Sequence, residues 1–174
     1  MLTKAGGPEA LQPVELAIEE PGSGELRVRV RAAGVGSTDL IMLAGKYRYA
    51  PSIPFVPGYE VAGVVDAIGP GVTGFKIGQR VAALTLYGGY GELVMREAEH
   101  FLPIPDEVSD VEAAAVILNY VTAWQMIHRV AKVRSGQSAL LPAPPAALAR
   151  RRCNCCGLWE PQPTVRRRPR SMTP

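Results

Sequence analysis

The side chains suited to metal or nucleophile chemistry are few and poorly spaced for it. Of the two histidines, His100 lies near the end of a predicted strand and His128 falls on a predicted helix. Neither has a partner at metal-ligand or catalytic spacing in the sequence. All three cysteines, Cys153, Cys155 and Cys156, sit together near the end of the 174 residues, so the body has no disulfide framework. A catalytic zinc needs about three soft or imidazole ligands and an open position. Cys153-Asn154-Cys155-Cys156 offers one clip and no second ligand pair. Arg150 to Arg152 and Arg166 to Arg168 could act as a nucleic-acid arm, but no aromatic or helical scaffold organises them.

Charge divides the chain in two. Up to Leu140, 12 Lys and Arg face 15 Asp and Glu, a net −3; beyond it 7 Arg face one Glu, a net +6. Of the 18 glycines, 17 precede residue 141, whereas 7 of the 16 prolines follow it. The body is thus mildly acidic, which argues against nucleic acid as a partner. At 47% hydrophobic and 20% charged the composition is globular. No run approaches the roughly 20 apolar residues of a membrane span, and Met1 to Glu9 lacks a basic-then-apolar leader. A cytoplasmic location without membrane contact is expected.

The first 105 residues carry β patterning. Leu26, Val28, Val30 and Ala32 alternate with Arg27, Arg29 and Arg31, which predicts a strand with those four apolar residues on one buried face. Val56 to Ile68, Arg80 to Leu86 and Gly91 to Arg96 read as further strands, punctuated by Gly69, Pro70, Gly71, Gly74, Gly88 and Gly89. Short strands with glycine-rich turns suggest a barrel. The pattern then becomes helical. Ser109 with Glu112 forms a capping box ahead of Ala113 to Ile117, and Val121 to Val133 reads as a second helix ended by Gly136. Ser138 to Leu141 has the look of a buried strand, the opening of an α/β domain.

Several short segments occur in a telling order: Gly34-Val35-Gly36-Ser37-Thr38-Asp39, Gly45-Lys46-Tyr47, Pro57-Gly58-Tyr59-Glu60-Val61-Ala62-Gly63-Val64-Val65, Val81-Ala82, Gly89-Tyr90-Gly91-Glu92, and Ala113 to Trp124. In this order they resemble the medium-chain dehydrogenases/reductases, and most nearly the zinc-independent quinone oxidoreductase branch, over residues 5 to 140. The resemblance implies a mainly β fold with some α: a GroES-like alcohol-dehydrogenase-type domain over 1–110 and the start of a Rossmann cofactor domain, here truncated, over 111–141; with prolines throughout, the Pro/Arg/Cys-rich tail over 142–174 is expected to be disordered. The resemblance also implies hydride transfer from NADPH or NADH to a quinone, enone or ketone, with a homo-oligomer or a homologue as protein partner.

In the zinc alcohol dehydrogenases a cysteine stands at the position of Gly36 and a histidine at that of Tyr59. Glycine has no ligating side chain and tyrosine is a poor zinc ligand, so no metal is expected. Asp39 and Glu60 are then read as structural. By resemblance, Tyr47 matches a tyrosine near the nicotinamide and is the candidate catalytic residue, while Thr122 matches a cofactor-contacting threonine. Both hydroxyls can orient a carboxamide, ribose or carbonyl. Gly36 replaces the asparagine usual in quinone reductases, and Ser37 is the candidate to take over its contact.

Past Leu140 such a protein needs a glycine-rich loop whose amides approach the pyrophosphate. Here Pro142, Pro144 and Pro145 stand instead, and proline has no N–H to offer. Take GC-rich codons for Leu141 to Pro161, with TTG for Leu148 and AGA for Arg150, and read from each third base into the next two. A Gly/Ala-rich phosphate loop running into an amphipathic helix emerges. Cys153 before Asn154 allows only glutamine or a stop in that frame, and Trp159-Glu160 forces glycine. The tail is therefore expected to be a frameshift product. The chain is expected to bind no dinucleotide and to be inactive alone, with Val116, Ile117, Trp124 and Ile127 left uncovered. The alternative is a non-catalytic interaction module that pairs with a homologue or another partner.

Overall fold

The structure is a computed structural model, and residues 1–134 and 137 are described. They fall into two units, Met1–Leu118 and one beginning at Asn119. The first is built on five antiparallel strands: β1 (Glu25–Ala33), β2 (Glu60–Ile68), β3 (Arg80–Leu84), β4 (Leu93–Glu97) and β5 (Phe101–Pro103). Their order across the sheet is β4-β1-β2-β3-β5. Two helices accompany it, α1 (Ser37–Leu43) between β1 and β2, and α2 (Asp110–Ile117) after β5. The mainly β fold with some α read from the sequence is the fold observed.

Alternation fills both faces of the sheet. Leu26, Val28, Val61, Val65, Val81, Ala83, Val94 and Phe101 form one apolar cluster. Ala62 and Ala82, one residue out of step, point the other way and pack with Ile104, Ala113 and Ala114. Small side chains on both surfaces let α2 lie close against the sheet. A third cluster joins the start of the chain to α1 through Leu2, Ala10, Met42, Leu43 and Phe55.

The sequence places Ala32 beside Leu26, Val28 and Val30, and the structure corrects this. Val30 opposes Gly63 but Ala32 opposes Ala62, so Arg31 is an extra residue with no partner across the pair. This β-bulge reverses the pleat, and Ala32 packs on the α2 side. A second irregularity, between Arg27 and Val28, leaves Asp66 as the extra residue on β2. Its carboxylate accepts hydrogen bonds from Arg27 Nε at 2.7 Å and Arg29 Nη2 at 2.8 Å. These bonds hold Asp66 below the usual carboxylate range. A group depressed in the folded state contributes stability above its unfolded pKa and loses it as pH falls through the folded value. Urea unfolding of Asp66→Asn should accordingly show a shallower acid-side loss of stability than the parent.

Strand ends fall inside the predicted runs for local reasons. β2 starts at Glu60 rather than Val56, because Pro57 has no N–H and Gly58 has a φ of +108°. β3 stops at Leu84, since Leu86 takes a left-handed φ of +62°. α2 begins as its capping box requires. Ser109 Oγ accepts from Glu112 N at 3.2 Å, and Glu112 Oε2 accepts from Ser109 N at 3.0 Å. Arg80 clamps the same end through Asp110 at 2.9 Å and donates to the carbonyl of Val108. Ser109→Ala should cost about 1 kcal/mol, read as a lower urea midpoint with an unchanged slope.

In the second unit the predicted helix is α3 (Asn119–Trp124) followed by a π-helical turn, Gln125–Val130. It does not continue to Val133, because Lys132 adopts a φ of +49°. Gly136 and the strand predicted at 138–141 lie outside the described residues, as does the 142–174 tail. Of the four residues expected to be uncovered, Val116 and Trp124 are exposed. Ile117 and Ile127 are half-buried instead, and Ile117 packs with Val108 and Ala32 on the cluster of Ala62, Ala82, Ile104, Ala113 and Ala114. Trp124 stacks on His128 at 5.0 Å, as residues four apart on a helix do.

Candidate functional site

The site forms where two glycine-punctuated loops meet the start of β2. α1 opens with Gly36 as its N-cap, and since glycine has no side chain the cap comes from within. Asp39 Oδ2 accepts the Gly36 N–H at 2.8 Å, the reach-back half of a capping box. Asp39 is buried, and its Oδ1 makes no hydrogen bond. The helix ends in a Schellman motif: Lys46 N donates to the Ile41 carbonyl at 3.0 Å and Gly45 N to that of Met42 at 2.9 Å. Gly45 supplies the φ of +68° this requires. The turn delivers Tyr47 back to the body of the fold.

Tyr59 arrives from the other side. Its carbonyl accepts from Thr85 N at 2.9 Å and Leu86 N at 3.3 Å, while Thr85 Oγ1 bonds the Gly58 carbonyl at 2.8 Å. Tyr90 N reaches the Pro57 carbonyl at 2.9 Å. These bonds lock residues 57–59 to the 85–90 loop. The Tyr47 and Tyr59 hydroxyls lie 2.9 Å apart, with their rings edge-to-face at 6.0 Å. Tyr49 stands edge-on to Tyr47 at 5.8 Å. Burial, then the bond to Tyr47 and that group's charge, and last the negative charge of Asp39 push the Tyr59 phenol up to about 12. Tyr90 donates weakly to the Gly34 carbonyl at 3.4 Å, and burial followed by the charge of Asp39 raises it too.

Glu60 is buried beside the pair, and its Oε2 accepts from Leu118 N at 3.0 Å, tying β2 to the end of α2. Asp39 and Glu60 thus each accept a hydrogen bond from a backbone N–H. Ser37 opens α1 with its side chain exposed, and no hydrogen bond or ring contact joins it to the tyrosine pair among the described residues. Thr122 is half-buried on α3, in the second unit. By sequence His100 has no partner at metal or catalytic spacing, and in the structure its neighbours are acidic. Exposed Glu97, Glu99 and His100 bring their donor atoms within 4.8 Å of one another. The sequence reading missed Tyr59 as partner of Tyr47, and missed Tyr90. A hydroxyl-bearing ring at the position where related enzymes carry a metal ligand was the available signal.

Residues 22–106 match the alcohol dehydrogenase GroES-like domain. Over 141 residues the chain is 40% identical to the human synaptic vesicle membrane protein VAT-1 homolog-like, covering 81% of this chain and 34% of that one. It is 33% identical over 138 residues to the quinone oxidoreductase of Rattus norvegicus, covering 78% of this chain and 42% of that one. The crystal structure of the human VAT-1 homolog-like protein superposes with a TM-score of 0.86 at 37% identity, over 90% of this chain and 51% of that one. Escherichia coli quinone oxidoreductase complexed with NADPH gives 0.70 at 32% identity, over 74% and 40%. The chain belongs to the medium-chain dehydrogenase/reductase family, in its quinone oxidoreductase-like branch. It spans 34 to 42% of the length of the two curated relatives named. No helix among the described residues is long and apolar enough to cross a membrane.

A family dinucleotide would need backbone N–H donors at its pyrophosphate. Pro142, Pro144 and Pro145 provide none where that loop belongs. Those positions lie outside the described residues.

Proposed function

We propose that this chain carries the substrate half of an NAD(P)H-dependent oxidoreductase lineage that reduces a quinone, an enone or a ketone. The observation that carries this reading is the Tyr47–Tyr59 hydroxyl pair, 2.9 Å apart, where zinc-dependent relatives would hold a metal. Without a Lewis acid, a substrate carbonyl must be polarised by hydrogen bonds, and a phenol at the edge of the domain supplies one. Tyr47 is the residue that meets the substrate oxygen. Ser37 and Thr122 belong to the cofactor side in a full-length family member. The domain organisation proposed is 1–110 for the GroES-like domain, 111–141 for the start of a Rossmann domain, and 142–174 for a frameshifted tail. The chain itself binds no NADPH or NADH, works in the cytoplasm if at all, and leaves Val116 and Trp124 exposed for a homologue to cover.

The test is NADPH oxidation with a benzoquinone, followed by loss of the reduced-nicotinamide absorbance. The 174-residue chain should run at the blank rate, and a gene with the hidden frame restored should give turnover. In that restored protein Tyr47→Phe should lower kcat/KM by on the order of a hundredfold. Turnover by the 174-residue chain would overturn the missing cofactor site. An unaltered rate in Tyr47→Phe would overturn the tyrosine's role.

A further inference from the structure

Leu86 is held in a strained conformation although its side chain adds nothing to the core. Its φ of +62° is left-handed, where a bulky side chain is strained and glycine is not. The side chain is 45% exposed and belongs to none of the three apolar clusters. Gly88, Gly89 and Gly91 follow within five residues, so glycine is common in this segment and leucine is the exception. Strain of this kind persists only where the surroundings impose it, and such positions concentrate at binding sites.

Arg96 imposes it from β4. Its Nε and Nη2 donate to the Thr85 carbonyl at 3.2 and 3.1 Å, and Nη2 donates also to the carbonyl of Tyr87. One guanidinium thus holds the carbonyls on both sides of Leu86. It lies 4.4 Å from the centre of the Tyr87 ring and makes no ion pair among the described residues. The loop is fixed from its other side by Tyr59, whose carbonyl accepts from both Thr85 N and Leu86 N. Leu86 is therefore tied to the residue whose hydroxyl meets Tyr47.

We propose that Leu86 is a specificity-determining residue of the candidate site, an apolar side chain that packs on a hydrophobic group beside the substrate's carbonyl while Tyr47 donates to the oxygen. This deepens the reading of Tyr47 given above and rests on it. The substrate class selected is a ketone or quinone with an aryl or alkyl substituent next to the oxygen; a small carbonyl compound gains little from the contact. On a free loop, meeting such a group would cost backbone freedom, and the Arg96 clamp removes that freedom in advance. The bound ligand then covers apolar surface that solvent now touches.

The test reads binding and stability together and needs no cofactor. The full chain is labelled at leucine methyl groups and at tyrosine Cζ, the Leu86 and Tyr47 signals are identified by their loss in Leu86→Gly and Tyr47→Phe, and acetophenone and propanone are titrated in turn by NMR. Acetophenone should shift both signals along one curve, and propanone should require about tenfold higher concentration. In Leu86→Gly the Tyr47 signal should need about tenfold more acetophenone, while the urea midpoint stays or rises because glycine relieves the strain. Leu86→Asn, a residue that also tolerates the left-handed region, should behave alike. A midpoint that falls in both variants shows that the side chain serves the fold, and overturns the proposal. An unchanged acetophenone affinity in Leu86→Gly overturns it too, as does a parent whose Leu86 methyl groups do not move. Tyr47→Phe separates this proposal from the reading beneath it. If acetophenone still moves Leu86 there with unaltered affinity, the tyrosine's role fails and the leucine contact stands; if Tyr47 moves in the parent and Leu86 does not, the reverse holds.

Discussion

Gly58→Ala is expected to destabilise the folded unit by on the order of 3–5 kcal/mol, through two faults that add at one position. The backbone there has a φ of +108°, a conformation L side chains rarely adopt. A Cβ would also lie 2.5 Å from Tyr90 N and 2.6 Å from the Gly89 carbonyl carbon, both backbone atoms that no rotamer change can withdraw. Relief would have to come from parting the 57–59 segment from the 85–90 loop, which sacrifices the bonds that hold Tyr59. The near-ultraviolet circular dichroism of the tyrosines should therefore fall along with the urea midpoint. Gly24→Ala separates the two faults. Its φ is +82° but nothing lies within 4 Å of the added carbon, so its loss should be about 1–2 kcal/mol. Equal losses in the two variants would show that the contact with the 85–90 loop contributes nothing.

Gly34→Ala should cost about 2–4 kcal/mol by a different route. Its backbone is unremarkable, but a Cβ would stand 2.0 Å from Glu60 Oε1 and 2.5 Å from both Glu60 Cδ and Cγ. The clash reaches back to Cγ, so the whole Glu60 side chain must swing. That breaks the bond to Leu118 N inside a buried region and detaches β2 from the end of α2. A double-mutant cycle tests the mechanism. Glu60→Ala empties the space, so Gly34→Ala should cost much less in that background, with a coupling of about 1 kcal/mol or more. Strict additivity of the two changes would place the cost elsewhere.

What could be read from residue order alone was read from local rules. Alternation located the strands, because a sheet with two packed faces needs period two. Ser109 with Glu112 fixed the start of α2, because capping uses groups three residues apart. Gly36 and Tyr59 argued against a metal because neither carries a good ligand, and the motif order from Gly34 to Trp124 carried the family. These signals are local in sequence or lie at fixed spacings.

The rest depended on contacts between distant segments. That Ala32 turns to the α2 side follows from the bulge at Arg31, which exists in the pairing of β1 with β2 and leaves no mark in β1's own alternation. Tyr59 was legible as an absent zinc ligand but not as the partner of Tyr47, because a Schellman turn ending α1 and a backbone lock on the 85–90 loop bring the two hydroxyls together. The sequence by itself determined the strands, the α2 cap and the family, all of them set by residue chemistry or short-range geometry. Only the tertiary structure decided which hydroxyls meet, which carboxylates are consumed in holding backbone, and which glycines tolerate no side chain, since each depends on how closely two remote stretches of chain approach.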